Sequence, residues 1–238
     1  MATIDVQRIT LVRHGEAKYS QLESTLEEAD DLTPNGIQVV TGNFHNIGRQ
    51  YSANSSLALV SSPLARTLQT ARIAKTILGG YVKAPISFEV NPELQEVHNF
   101  EWELFFPLVN GGEVEYKGRK FLVDKNLTNP NNIVPGNYFN EDLAHKLSEK
   151  ARARLPIPYL ERIAEFEKAV DVEKRVRRVI GEIGKSRKAE DIFVFSHDGL
   201  IGFFVGDYTN GQSKTIKPGN YAILEKREGI FKPIFVKD

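Results

Sequence analysis

No cysteine occurs in the 238 residues of this chain, which excludes a disulfide scaffold, thiolate zinc sites and cysteine nucleophiles. Net charge is missing too. The 31 lysines and arginines balance 31 aspartates and glutamates, so overall charge points to neither nucleic acid nor membrane as a partner. No apolar run is long enough to cross a membrane or to act as a signal peptide. Internal repeats and low-complexity tracts are also lacking. These absences leave the expectation of a soluble, cytoplasmic protein, monomeric or dimeric. Its length allows one large α/β domain or two small ones, and either buries a full core.

The segment Ile9-Thr10-Leu11-Val12-Arg13-His14-Gly15-Glu16 reads as a buried strand that stops on an arginine, a histidine and a glycine. Open α/β sheets place their ligands at the carboxyl ends of such strands, and Gly15 lets the backbone turn sharply and approach a bound group. The acidic run from Glu23 to Asp31 predicts a solvated loop or helix face. Leu32-Thr33-Pro34-Asn35-Gly36 then opens a helix, with Thr33 as N-cap and Pro34 at the first helical position. Ile37, Val40, Phe44 and Ile47 form its expected buried face. A second strand, Leu57 to Val60, runs into Ser61-Ser62-Pro63 and a helix carrying Leu64, Leu68, Ala71, Ile73 and Leu78. A third, Ile86 to Val90, precedes Asn91-Pro92-Glu93-Leu94-Gln95-Glu96.

From Leu104 to Pro158, prolines and glycines break the pattern repeatedly. Val114 and Tyr116 face Phe121 and Val123 across Lys117-Gly118-Arg119 as a hairpin. This segment reads as a cap or lid inserted over the sheet edge of a single domain spanning 1–238. Its aromatics (Phe105, Phe106, Tyr116, Phe121, Tyr138 and Phe139) wall a pocket or cap the core. Lys117, Arg119 and Lys120 attract an anionic substrate. Periodic apolar residues from Tyr159 to Ile183 predict a long amphipathic helix, and its basic cluster, Lys174 to Lys188, predicts a solvated face. A fourth strand, Asp191 to Phe195, ends in Ser196-His197-Asp198-Gly199. A helix from Leu200 and strands at Tyr221–Leu224 and Ile230–Val236 follow. The alternation predicts a three-layer α/β/α fold whose mainly parallel sheet is flanked by helices on both sides.

In such a sheet the polar turns after the first, second and fourth strands converge at one edge. They carry Arg13 with His14, Arg66 one turn into its helix, and His197, while Glu96 follows the third strand. Two arginines and two histidines around one point suit a dianionic phosphoryl group. Guanidinium forks match phosphate oxygens, and helix N-termini add backbone donors.

These motifs resemble the histidine phosphatase superfamily, also called phosphoglycerate-mutase-like. LVRHGEA at 11–17 resembles its RHG signature, LTPNGIQ at 32–38 its following helix start, and SSPLARTLQTA at 61–71 its second arginine motif. Leu94 to Glu103 is similar to the acid motif and FSHDGLI at 195–201 to the second histidine motif. The resemblance implies a metal-independent phosphatase without cofactor, acting on a phosphorylated small molecule or phosphoprotein. His14 would be the nucleophile that becomes a phosphohistidine. Arg13, Arg66 and His197 would hold the phosphoryl oxygens, and Glu96 would protonate the leaving oxygen and then activate water. Ser20 and Asp198 would border the bound phosphoryl group.

The chain departs from the family pattern at several positions. Ala17 stands where Ser or Thr is usual, and Ser20 where Asn is usual. Phe100 and Leu104 replace glycines around Trp102-Glu103, and Asp198 replaces a glycine beside His197. The paired-arginine stretch with which glycolytic mutases hold phosphoglycerates is missing, which favours phosphatase over mutase. A mutase and a non-catalytic binder of phosphorylated ligands remain the alternatives. His45 and His98 match no metal-ligand spacing, His145 lies in a charged helical stretch, and Trp102 reads as a core or pocket-wall aromatic.

Overall fold

Side chains on a β-strand alternate between its two faces, and the central strands of this chain are apolar on both. In the computed structural model, residues 6–18, 30–96, 111–124, 153–156, 158, 169–185, 189–206 and 216–237 are described. They form β1 (Arg8–Arg13), α1 (Pro34–Gly48), β2 (Leu57–Ser61), α2 (Ala65–Leu78), β3 (Ser87–Val90), a 3₁₀ turn (Pro92–Leu94), β4 (Gly112–Tyr116) and β5 (Arg119–Val123). After these come α3 (Ala169–Lys185), β6 (Asp191–Ser196), α4 (Asp198–Gly206), β7 (Tyr221–Arg227) and β8 (Ile230–Val236). The chain divides into two compact units, Met1–Glu96 with Val172–Asp238, and Val97–Asp171.

The first unit holds a six-stranded sheet in the order β3-β2-β6-β1-β7-β8. The first four strands of that order run parallel, and β7 and β8 are antiparallel. Alternation sorts the core into two layers. Ile9, Leu11, Ala58, Val60, Ile192 and Val194 pack with Val179, Ile180 and Ile183 of α3 and Ile201 of α4. On the opposite face Val12, Leu57, Leu59, Phe193 and Phe195 pack with Val40, Phe44 and Ile47 of α1 and Ala71, Ala74 and Leu78 of α2. The expected doubly flanked, mainly parallel α/β sheet is the one found.

Differences lie at the edges of elements. Val40, Phe44 and Ile47 of α1 are buried as expected, joined by Gly36 and Asn43, whereas Ile37 is 45% exposed. Leu68 and Ile73 of α2 are only half-buried, because its buried face includes Arg66, Thr67 and Thr70. β7 continues to Arg227, paired with β8, and α4 begins at Asp198 instead of Leu200.

In the second unit, β4 and β5 pair as a hairpin with Val114 opposite Phe121 and Tyr116 opposite Arg119. The turn is therefore Lys117-Gly118 alone, with φ of 50° and 72°, the left-handed pair a two-residue hairpin requires. Most of 104–158, with Phe105, Phe106, Tyr138 and Phe139, lies outside the described residues, as does all of 159–168 of the expected long helix.

Candidate active site

The parallel register brings the motif-bearing strand ends level, pairing Arg13 with Ser196 and Ser61 with Phe195. The ladder then runs one step further. His14 N–H donates to the Ser196 carbonyl at 3.1 Å, and Ser62 N–H to the Phe195 carbonyl at 2.9 Å. The backbones of His14 and Ser62 are thus fixed by the sheet.

Close packing holds the turn after β1. A Cβ on Gly15 would meet Val40 Cγ2 at 2.9 Å and the Gly36 carbonyl at 3.1 Å, so only glycine fits against α1. Gly15 N–H donates to Thr70 Oγ1 at 3.0 Å, and Thr70 in turn donates to the Arg66 carbonyl at 2.7 Å. At the entrance of α1, Thr33 Oγ1 accepts from Gly36 N–H at 2.9 Å and donates to Glu16 Oε2 at 2.8 Å. Hydrogen bonds from Asn35 and Thr33 pull the Glu16 carboxyl below its ordinary value. Ala17 is buried and bridges to Leu32.

His14 and His197 are both buried, their ring centroids 5.3 Å apart. His14 Nδ1 lies 2.7 Å from the Gly15 carbonyl. A carbonyl only accepts, so Nδ1 carries the proton and Nε2 keeps its lone pair. Arg66 Nη2 lies 3.1 Å from His197 Nδ1. A guanidinium only donates, so Nδ1 of His197 accepts and its Nε2–H points to Ser62 Oγ, 3.0 Å away. Burial first, then the charges of Arg66 and Arg13, hold His14 well below the usual imidazole value, against an opposing contribution from the Gly15 hydrogen bond. For His197 the causes are burial, then Arg66, His14, Arg13 and Arg175. Both rings are neutral at neutral pH.

The arginines have carboxylate company. Arg66 Nη1 pairs with Asp30 Oδ1, and the Arg66 N–H lies 3.4 Å from Asp30 Oδ2. Arg13 Nη1 donates to the Ile216 carbonyl at 2.6 Å and lies 3.4 Å from Asp198 Oδ2, while Asp198 Oδ1 accepts from Ile216 N–H at 3.0 Å. Asp198 therefore faces Arg13 and the Ile216 backbone. Glu96 Oε2 lies 3.7 Å from His197 Nδ1. Arg13, His14, Arg66, Glu96, His197 and Asp198 are thus gathered at one sheet edge. Ser20 lies outside the described residues, as do Phe100, Trp102, Glu103, Leu104, His98 and His145.

A model of the histidine phosphatase superfamily (branch 1) matches residues 9–107 and 136–223. The chain belongs to the histidine phosphatase superfamily. The stretch between the two matched blocks, 108–135, contains the β4–β5 hairpin. Among solved structures this superfamily member is similar to phosphoglycerate mutase from Bacillus anthracis, with TM-score 0.60, 13% identity and 98% and 94% of the two chains covered. It is similar to a mycobacterial glucosyl-3-phosphoglycerate phosphatase complexed with VO3, with TM-score 0.56, 15% identity and coverage of 98% and 100%. A variant phosphoserine phosphatase from Entamoeba histolytica in complex with phosphoserine gives TM-score 0.55, 16% identity and coverage of 96% and 95%. No curated protein matches the chain in sequence. At these identities the likeness is one of fold, and mutases and phosphatases share it.

Asp30, Ser62 and Thr70 are site residues that the sequence reading did not single out. Asp30 belongs to the acidic run read as solvated, yet it meets Arg66 across 36 positions. His45, weighed as a metal ligand, sits 3.3 Å from the Tyr81 hydroxyl. Among the described residues no group of three or more His, Asp or Glu could hold a metal ion. No helix among them is long and apolar enough to cross a membrane.

Proposed function

We propose that the protein is a phosphomonoester hydrolase working through a phosphohistidine on His14, with a small phosphorylated molecule as substrate. The observation that carries this reading is the 2.7 Å hydrogen bond from His14 Nδ1 to the Gly15 carbonyl. It puts the proton of a neutral imidazole on Nδ1 and so makes Nε2 the nucleophilic nitrogen, on a ring that feels the charges of Arg66 and Arg13. In the first step Nε2 attacks phosphorus as the ester P–O bond breaks, and the Glu96 carboxyl gives its proton to the leaving oxygen. Nδ1–H stays on the Gly15 carbonyl, which steadies the positive charge developing on the ring. Arg13, Arg66 and His197 take the phosphoryl oxygens.

For His197 to donate from Nδ1, its Nε2 must become the acceptor. The Ser62 hydroxyl suits that exchange, since a hydroxyl both donates and accepts. In the second step Glu96, now a carboxylate, takes a proton from water. The oxygen attacks phosphorus, the P–N bond breaks, and inorganic phosphate and neutral His14 are restored. Asp198 acts through Arg13 instead of touching the phosphoryl group. The chemistry of these residues specifies only the phosphoryl group and leaves the leaving group unspecified.

The test is turnover of an aryl phosphate in excess chelator. Wild type is expected to release free phosphate, and His14→Ala to fall to the uncatalysed background. Equal rates in the two proteins exclude the reading. Isomerised phosphoester in place of free phosphate marks a mutase, and saturable vanadate binding without turnover marks a binder.

A further inference from the structure

Three consecutive carbonyls lead into Glu96, and each is held by a side chain from another part of the first unit. Arg175 of α3 donates through Nη1 to the carbonyls of Glu93, at 2.5 Å, and Gln95, at 3.1 Å. Ser196, the last residue of β6, donates to the Leu94 carbonyl at 3.0 Å. Asn91 caps the turn by accepting the Glu93 N–H at 2.9 Å. A one-turn 3₁₀ helix has little stability of its own, and its terminal carbonyls need partners from outside. The main chain that presents Glu96 is therefore set by these contacts.

We propose that Arg175 is a positioning residue for proton transfer, holding the Glu96 carboxyl at the leaving oxygen through the Glu93 and Gln95 carbonyls. The proposal rests on the phosphatase reading with Glu96 as its acid. It corrects the expectation that the basic stretch from Lys174 is simply a solvated face. Arg177 fits that expectation, pairing with Glu173 one turn away at 2.9 Å. Arg175 is half-buried and turns across the turn that precedes the acid. Arg178 reaches the same turn, but its partner is the Glu93 carboxylate and both side chains are exposed, where ion pairs contribute little. Ser196 serves as a second brace, and its own carbonyl accepts His14 N–H.

Proton donation matters in proportion to the basicity of the leaving oxygen. A displaced Glu96 therefore penalises poor leaving groups and spares good ones, a pattern that general loosening of the fold does not produce. The experiment measures kcat/KM for dinitrophenyl, nitrophenyl and phenyl phosphates with wild type, Arg175→Met, Arg175→Lys, Glu96→Gln and the double variant Glu96→Gln/Arg175→Met. Arg175→Met is expected to lose about tenfold or more on phenyl phosphate and less than about twofold on dinitrophenyl phosphate. Arg175→Lys, whose ammonium still donates to a carbonyl, is expected to recover part of that loss. The double variant is expected to be no slower than Glu96→Gln alone, because both changes remove the same step. Losses equal across the series, or additive in the double variant, overturn the role. Should Arg175→Met fail to fold by circular dichroism, the leaving-group slope of Arg175→Lys decides alone. A wild type that hydrolyses none of the esters overturns the phosphatase reading and this role with it, whereas an active wild type with flat Arg175 profiles overturns the role only.

Discussion

A guanidinium keeps its charge at every working pH, so Arg13 and Arg66 are tuned by the carboxylates beside them. Asp30 sits on Arg66 and Asp198 on Arg13, which makes the pocket less positive than two bare arginines. Asp30→Asn keeps an oxygen to accept the Arg66 N–H and removes the negative charge. It is expected to lower the inhibition constant of inorganic phosphate or vanadate by roughly threefold to tenfold. An unchanged or raised constant would show that Asp30 aims Arg66 and does not compete for it. Arg13, His14, Arg66 and His197 were legible because each follows or opens an element at fixed local spacing. Asp30 was not, since its partner lies 36 positions away and nothing local distinguishes it from the rest of its acidic run. Asp198 was legible as a charge near the pocket. Its contact with Ile216 spans 18 positions and emerges only in the fold.

At the scale of elements, the join between β1 and α1 constrains the turn that carries His14. A Cβ on Gly36 would lie 2.3 Å from the Glu16 carbonyl oxygen and 2.8 Å from its amide nitrogen, and both are backbone that cannot swing aside. Gly36→Ala is therefore expected to destabilise the fold by about 1–3 kcal/mol and to shift the turn that carries His14. Urea midpoints and aryl phosphate turnover measured together check both effects; a variant as stable and active as wild type contradicts the close approach. Thr33 and Pro34 announced this helix, since cap and first-turn preferences act within a few residues. Which residue around the helix faces inward was less legible. Ile37 is exposed and Asn43 buried because Asn43 donates to the Gly219 carbonyl and to Asn220 Oδ1, partners that helical periodicity does not reveal. The 3₁₀ turn before Glu96 is too short for periodicity to show at all.

For the molecule as a whole, burying two neutral histidines ties stability to pH. Their folded pKa values lie below the ordinary 6.5, so between the folded and unfolded values the unfolded chain binds more protons. Stability is then full above about pH 6.5 and falls as pH drops below it, at up to roughly 1.4 kcal/mol per pH unit for each histidine. Urea unfolding at pH 7.5 and 5.5 tests this by difference. His14→Ala is expected to lose less stability over that interval than wild type, and an equal loss contradicts the buried neutral ring. The mainly parallel, doubly flanked sheet was legible from strand–turn–helix alternation, whereas its strand order, β3-β2-β6-β1-β7-β8, emerges only in the fold. Between Leu104 and Pro158 proline and glycine break the periodic signal, so little beyond the hairpin was legible there.

The nitrogen proposed to receive the phosphoryl group, Nε2 of His14, offers the most direct test. Wild type mixed with an isotope-labelled phosphomonoester and quenched in alkali is expected to retain label on the peptide containing His14, stable in alkali and lost in acid, with none on His14→Ala. Turnover without a labelled enzyme, or label that survives acid on another residue, would contradict it.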